Sequence, residues 1–235
     1  MSAALSPAER LRDIETRMGR ACDRAARARD EVSLVGASKM QPIEVLQQSV
    51  EAGLRIFGEN RVQEARDKAP LLPAKIDWHL LGPLQSNKAR LAASLFSTVH
   101  SIDRPRIARV LDKEGQRASK KIQGFLEINL GDEPSKHGFS PNDLAEAARP
   151  LADTEFLRIV GLMAIPPFEE DLDRARAWFS RLRELRDQLF ARTEWSSAQG
   201  WLSMGMSHDF ETAIEEGATH IRVGTALFGS RPPRP

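Results

Sequence analysis

A lysine directly follows an apolar run near the start of the chain. Residues 33–38 have the sequence Ser-Leu-Val-Gly-Ala-Ser, which is typical of a buried strand, and Lys39 comes next. Loss of water around an ammonium group disfavours its charged form, and the neutral amine can condense with a carbonyl. The stretch therefore fits a Schiff-base lysine. From this stretch alone, the first interpretation is an ordinary strand-end lysine whose ammonium reaches solvent.

Glycines and hydroxyl side chains follow two other apolar runs, close to the C-terminus. Ser203 and Gly205 end the first of these runs, and Gly224 and Thr225 end the second. Backbone N–H groups at helix starts, together with glycines that allow close approach, can bind a phosphate. The alternative is that both glycines serve only tight turns. A reactive lysine and a phosphate cradle together predict a site for pyridoxal 5′-phosphate (PLP), an aldehyde that carries a phosphate.

Eight strand-like runs must position these groups, and helical segments separate them. The predicted strands are 33–38, 55–58, 77–82, 98–101, 122–129, 157–164, 201–204 and 220–223. Such alternation requires parallel strands, and it predicts an α/β fold, a single (β/α)₈ TIM-type barrel. The competing open, doubly wound sheet lacks support because no Gly-x-Gly-x-x-Gly follows the first strand. In a barrel, functional groups collect at the carboxyl ends of the strands.

One domain accounts for the whole length of 235 residues. We predict a barrel over residues 6–230 and a proline-rich tail at 231–235. A capping box that starts at Ser6 opens an extra N-terminal helix ahead of the barrel. The apolar face of that helix includes Cys22, the single cysteine, for which we expect a core position.

The net charge and the types of segment in the sequence limit which partners and which location we expect. A net charge of +1 indicates neither a nucleic-acid partner nor a membrane surface. No secretory signal and no apolar run of about 20 residues is present, so we expect a cytoplasmic protein. The five histidines show no short ligand spacing, so no metal site is predicted. Tyrosine is absent, which excludes any mechanism that uses a tyrosine of this chain.

Six segments carry a resemblance to a known family. They are VGASK (35–39), FGEN (57–60), WHLLGPLQSNK (78–88), GLMAIP (161–166), LSMGMSHDFETAIEEGAT (202–219) and IRVGTALFG (221–229). Over about residues 10 to 230 the chain resembles the YggS/PROSC family of PLP homeostasis proteins. The resemblance implies a barrel like the N-terminal domain of bacterial alanine racemase, without the second domain, and PLP bound as an internal aldimine.

The resemblance also implies a role for each residue of the site. Lys39 would hold the aldehyde, and Asn60 would lie near the Schiff base and the phenolic oxygen. Met163 would pack near the ring, and Arg222 would face the pyridine nitrogen. The phosphate would be bound by Ser203, Gly205, Gly224 and Thr225.

These roles suit capture of PLP better than turnover. An arginine stays protonated, so the pyridine nitrogen beside Arg222 would be left unprotonated. The ring would then be a weaker electron sink. The related racemase uses a tyrosine from another domain as its second acid/base. This chain has neither a tyrosine nor that domain. We therefore predict a monomeric PLP carrier and regulator in vitamin B6 homeostasis, with PLP-dependent apo-enzymes as recipients.

Two other functions remain open at this point. One is a PLP-dependent amino-acid racemase or lyase of weak or narrow activity, with His79 or His100 as second base. The other is a barrel enzyme that binds a sugar phosphate without PLP. A rim loop at 131–140 is placed to contact ligand or partner in any of these cases.

Overall fold

A computed structural model describes residues 5–131, 137–195 and 198–230. Within these residues the strands are β1 (Ser33–Ala37), β2 (Ile56–Glu59), β3 (Asp77–Leu80), β4 (Thr98–Ile102), β5 (Ile122–Glu127), β6 (Leu157–Met163), β7 (Trp201–Ser203) and β8 (His220–Val223). The helices are α1 (Pro7–Arg24), α2 (Ile43–Glu51), α3 (Val62–Lys68), α4 (Ala89–Leu95), α5 (Pro105–Arg117), α6 (Leu144–Ala148), α7 (Leu172–Phe190), α8 (Phe210–Glu215) and α9 (Thr225–Phe228). None of these helices combines the length and the apolar character that a membrane crossing requires. The predicted tail at 231–235 and half of the predicted rim loop, at 132–136, lie outside the described residues.

The eight strands close into a barrel in which every neighbouring pair is parallel. β1 pairs with β2 on one side and with β8 on the other, where Val35 lies opposite Arg222. Helices cross back between successive strands, as parallel pairing demands. The predicted (β/α)₈ barrel is confirmed, and all eight predicted strands are present within a few residues of their predicted ends.

Helix α1 precedes the barrel and packs on its outer layer. Ser6 and Glu9 form the predicted capping box. The apolar face of α1 is buried against α2, α8 and α9, and Cys22 on this face is only 1% exposed, as expected for a core residue. Arg17 places its guanidinium 4.6 Å from the centre of the Phe210 ring and so ties α1 to α8.

The inside of the barrel differs in character from the layer between strands and helices. The outer layer is aliphatic and aromatic, whereas the lumen holds several rings that contact one another: His79, His100, Phe125, Trp201 and His220. His100 of β4 and His220 of β8 lie 5.8 Å apart between ring centres. Strands β4 and β8 are not neighbours, so their side chains can meet only across the lumen.

The helix predicted to begin at 207 begins instead at Phe210. The Asp209 carboxylate accepts a hydrogen bond from the Met206 N–H at 2.6 Å, and residues 207–209 form a turn. A short side chain that bonds backbone just before it favours a turn over the first helical turn. The difference matters for the site, because this turn lies at the barrel mouth.

Candidate functional site

The predicted site residues lie in or just after five strands that are consecutive around the barrel. Met163 and Ser203 are the last residues of β6 and β7, and Arg222 lies in β8. Lys39 and Asn60 follow β1 and β2 within two residues. Strands β6, β7, β8, β1 and β2 are consecutive neighbours around the barrel. The structure therefore brings the predicted residues to one side of the barrel, toward the carboxyl ends of its strands.

Lys39 occupies a turn whose two flanks are tied to helix α3. The Lys68 ammonium donates to the carbonyl of Ser38 at 2.8 Å, on one side of the lysine. The Glu64 carboxylate accepts the N–H of Met40 at 2.5 Å, on the other side. The Lys39 ammonium itself is half-buried and has no hydrogen-bond or ion-pair partner in the described part of the chain. The turn is thus held in place while its amine is left free to react.

A buried ion pair underlies this turn. The Glu59 side chain is fully buried, and one of its oxygens accepts from Lys68 and from the Ser38 hydroxyl, each at 2.7 Å. Burial raises the pKa of Glu59, and the ammonium of Lys68 opposes that rise. Lys68 also contacts Glu64 at 2.8 Å, so we call Glu59, Glu64 and Lys68 the lysine clamp. Met40 has a φ of 59°, a strained value for a residue other than glycine that the clamp helps to maintain.

Arg222 is a buried cation held by two hydrogen bonds. Its Nη1 donates to Ser203 Oγ at 2.7 Å, and its Nη2 donates to the Ala164 carbonyl at 2.9 Å. Burial lowers the pKa of Arg222 to about 10, so the guanidinium remains protonated at neutral pH. A guanidinium can only donate, and this one is fixed in direction. The Arg222 guanidinium therefore suits a ligand atom that is unprotonated and accepts a hydrogen bond, and it does not suit a protonated one.

Gly205 has a structural reason to be glycine. Its φ is 89°, and a Cβ at this position would lie 2.5 Å from the Cβ of Ala213 in α8. Its carbonyl accepts the backbone N–H of Arg222 at 3.0 Å. The glycine lets the loop after β7 approach α8 closely. Its predicted contact with a phosphate stays a prediction.

The loop after β8 offers a more open position. Gly224 precedes α9, and a Cβ there would meet only Ala37, with its oxygen at 3.3 Å. Thr225 is exposed and begins α9, so the helix does not use its backbone N–H. The Ser207 hydroxyl accepts the N–H of Ala226 at 3.2 Å and joins the loops after β7 and β8. These loops form one surface beside Lys39.

Three predicted residues lie deeper than the mouth or are partly covered. The Ser203 side chain is fully buried, and its hydroxyl is bonded within the lumen. Met163 is fully buried in a small cluster with Phe125 and Val160. Asn60 is half-buried, and its backbone abuts Gly82, where a Cβ would lie 2.4 Å from the Asn60 oxygen. The ligand contacts predicted for these residues stay predictions.

Two carboxylates on the opposite side of the mouth were not singled out from sequence. Glu127 ends β5, and Asp103 follows β4. Burial, and then the charge of Asp103, raises the pKa of Glu127 to about 7. Asp103 pairs with Arg104 and lies 3.6 Å from His137, while its Oδ1 is buried without a partner among the described residues. Only closure of the barrel reveals that both carboxylates face the same mouth.

The shifted carboxylate predicts a pH-dependent stability difference for Glu127→Gln. Between its usual pKa of about 4.5 and its folded pKa of about 7, Glu127 binds a proton in the folded state only. The wild type should therefore lose stability relative to the variant as the pH rises through this window, by up to roughly 3 kcal/mol. Urea denaturation of both proteins at pH 5, 6, 7 and 8 measures this difference. A difference that is constant with pH would contradict it.

Comparison with known proteins gives a consistent set of relatives. A family model described as the alanine racemase N-terminal domain matches residues 24–232. A pyridoxal phosphate homeostasis protein of Aquifex aeolicus is 40% identical over 97% of this chain and 99% of its own length. A protein of the same name from Pseudomonas aeruginosa is 41% identical over 95% of each chain.

Solved structures agree with the sequence matches. PipY of Synechococcus elongatus, solved with PLP bound, has a TM-score of 0.83 and 36% identity, and the match covers 95% of this chain and 100% of PipY. PipY without PLP gives a TM-score of 0.84 at the same identity, over 94% of this chain and 99% of PipY. Alanine racemase of Clostridium difficile has a TM-score of 0.67 at 12% identity, over 94% of this chain and 57% of that one, which shows a common fold only.

Proposed function

Because this chain belongs to the pyridoxal phosphate homeostasis proteins, within the alanine racemase N-terminal domain family, we propose that it binds PLP and acts in PLP homeostasis. The observation that carries the proposal is the arc that joins Lys39, the loops after β7 and β8, and Arg222. Each of these groups suits one part of the cofactor. The solved relative that holds PLP supports the same choice.

The groups along the arc match the cofactor part by part. The free amine of Lys39 suits the aldehyde, with which it condenses by loss of water. The N–H of Thr225 and the open space at Gly224 suit the phosphate. The guanidinium of Arg222 suits the ring nitrogen, which must then accept rather than carry a proton.

The same arrangement favours holding PLP over using it. When bound, PLP supplies an aldehyde that joins amines and a ring that withdraws electrons. Arg222 donates a proton that it does not give up, so it keeps the ring nitrogen unprotonated and the ring a poorer electron sink. His79 and His100, the histidines considered as a second base, lie in the lumen and bond to each other at 3.0 Å. We therefore propose a carrier without robust catalysis.

Mixing the protein with PLP tests the covalent part of the proposal. The wild type should develop a visible absorption band, and borohydride should fix the cofactor on the peptide that contains Lys39. Lys39→Ala should lose the band and the added mass, because the other amine at this turn, that of Lys68, is engaged by Glu59 and Glu64. Lys75→Ala, an exposed lysine of the same half of the barrel, is the matched control and should behave as wild type. A band retained in Lys39→Ala sinks the assignment of the lysine.

Assays of turnover separate a carrier from an enzyme. We expect no robust racemisation of any amino acid by the PLP-loaded protein, and transfer of PLP to a PLP-dependent apo-enzyme in the same buffer. Robust racemisation that is lost in Lys39→Ala would instead establish the racemase. We also propose that the protein is a monomer and that it acts in the cytoplasm. Sedimentation of the PLP-loaded protein tests the monomeric state.

A further inference from the structure

A chain of hydrogen bonds runs through the lumen from Arg222 to the far end of the barrel. Arg222 Nη1 and Ser203 Oγ are 2.7 Å apart, as are Ser203 Oγ and His100 Nδ1. His100 Nε2 lies 3.0 Å from His79 Nδ1. His79 Nε2 lies 3.3 Å from a carboxylate oxygen of Asp77. We call these five residues the lumen chain.

With both imidazoles neutral, the two ends of the lumen chain determine where every proton lies. The Asp77 carboxylate can only accept, so His79 carries its proton on Nε2 and presents a bare Nδ1 to His100. His100 must then carry its proton on Nε2 and present a bare Nδ1 to Ser203. The Ser203 hydroxyl therefore donates to His100, and its oxygen accepts from Arg222, which can only donate. No other assignment of neutral imidazoles satisfies all four contacts.

The surroundings of His100 favour its neutral form. Burial, with the nearby His79, His220 and Arg222, holds the pKa of His100 well below its usual value. Burial alone would raise the pKa of Asp77, but the contact with His79 and the hydrogen bond from Ser97 hold it below its usual value, so Asp77 remains an ionised acceptor. The described residues contain no group of three or more metal-ligating side chains arranged to hold an ion. His79 and His100 each bond to two side chains of the lumen chain.

We propose that His100 and His79 are positioning residues for the cofactor's ring, because they orient the Ser203 hydroxyl so that its oxygen accepts from Arg222 Nη1 and thereby fixes the direction of the guanidinium. The inference rests on the proposed function for the identity of the ligand, but the proton positions belong to the protein alone. It also gives Ser203 a specific task. With its hydroxyl proton committed to His100, that hydroxyl supports Arg222 and does not donate to a phosphate.

The lumen chain also connects the mouth with the opposite face of the barrel. Asp77 is the first residue of β3, so it lies at the amino-terminal end, and its side chain is 46% exposed. It also accepts from the Ser97 hydroxyl. A substitution at Asp77 is therefore remote from the mouth but changes the acceptor on which the proton order depends.

The first test uses the protein without cofactor. Two-bond ¹H–¹⁵N correlation spectra of the ¹⁵N-histidine-labelled protein at pH 7 should show His79 and His100 both protonated on Nε2 only. Asp77→Leu should remove this order at His79 while the protein stays folded. A proton on Nδ1 of His100 in the wild type overturns the proposal, whether or not the protein binds PLP.

The second test compares two substitutions in the same layer of the lumen. His100→Phe removes the acceptor for Ser203, whereas His220→Phe makes the same change of ring outside the lumen chain, where His220 contacts Thr219 at 3.0 Å. We expect about a tenfold weaker PLP affinity for His100→Phe, and a shift of about one pH unit in the titration of its visible band. His220→Phe should stay within about twofold of wild type.

The outcomes separate the two proposals. Equal losses in both variants would mean that the rings only fill space, and the positioning role would be wrong. If His100→Phe does not fold, Asp77→Leu provides the test instead. The titration of the visible band should shift in Asp77→Leu too, and an unshifted titration would refute the positioning role of the histidines. A wild type that does not bind PLP refutes the proposed function, and the proton positions in the cofactor-free protein still decide the lumen chain.

Discussion

Replacing Lys68 with methionine is expected to destabilise the protein by about 3–5 kcal/mol and to weaken PLP binding at the same time. The substitution leaves the Glu59 carboxylate fully buried without its ion-pair partner. An uncompensated buried charge is strongly destabilising. It also frees the carbonyl of Ser38, so the turn that presents Lys39 loses one of its two ties to α3. Urea denaturation and PLP titration measure the two effects.

A second variant separates stability from positioning. Glu59→Gln combined with Lys68→Met leaves no buried charge, so it should recover much of the lost stability. It should not recover PLP affinity, because the Ser38 carbonyl is still untied. The loss in the single variant should also grow with pH, since Glu59 without Lys68 has a pKa raised further and is destabilising only when ionised. Full recovery of affinity in the double variant would show that the clamp does not position Lys39.

Gly161→Ala is expected to abolish the stable fold. A Cβ at this position in β6 would lie 1.9 Å from the carbonyl oxygen of Trp201 in β7, and backbone cannot move away as a flexible side chain can. Gly161 pairs with both Phe125 and Trp201, next to a register shift between β5 and β6. We expect a loss of at least about 4 kcal/mol, a large part of the stability of a single domain. Circular dichroism melts and soluble yield measure it.

The adjacent strand supplies a matched control. Gly124 in β5 is also a buried strand glycine, but the nearest atom to a Cβ there is the Cδ1 of Leu157 at 3.0 Å, the end of a side chain. Gly124→Ala should therefore fold, with a small loss as Leu157 adjusts. A Gly161→Ala protein that melts like Gly124→Ala would contradict the steric argument.

The fold could be predicted from sequence because each local signal agreed with the others. Eight apolar runs, separated by helical stretches with glycine and proline at their ends, allow few topologies once crossover connections are required. The start of α8 could not be placed in this way. Ser207 looks like a helix cap by type, and only the bond from Met206 to Asp209 shows that a turn comes first.

The site was predicted in part, and the missed residues share a cause. Lys39 and Arg222 lie at strand ends in apolar context, so their types were conspicuous. Glu59 and Lys68 belong to an ordinary polar stretch, in which the spacing from Glu64 to Lys68 was the one available signal of an ion pair. Their ion pair matters because the folded barrel buries the Glu59 carboxylate. Which carboxylate becomes buried depends on the tertiary structure and cannot be read from local sequence.

The histidines illustrate the same limit from the other direction. The sequence offers two interpretations of His79 and His100, a structural hydrogen-bonding role first and a second base as the alternative. Their actual contact joins β3 to β4, and the bond to Ser203 joins β4 to β7. The bond between β4 and β7 exists only after the barrel closes, so no spacing along the chain could have indicated it.

The pairing of β1 with β8 has a consequence for how the protein is made. Lys39 and Arg222 are 183 positions apart, at 39 and 222, yet the strands that carry them are neighbours. At ribosomal speeds of about 5–20 residues per second, the growing chain exposes its amine roughly 10–40 s before the guanidinium is synthesised. A nascent chain or a C-terminally truncated fragment therefore has a lysine but no binding site, and capture of a reactive aldehyde is reserved for the finished molecule.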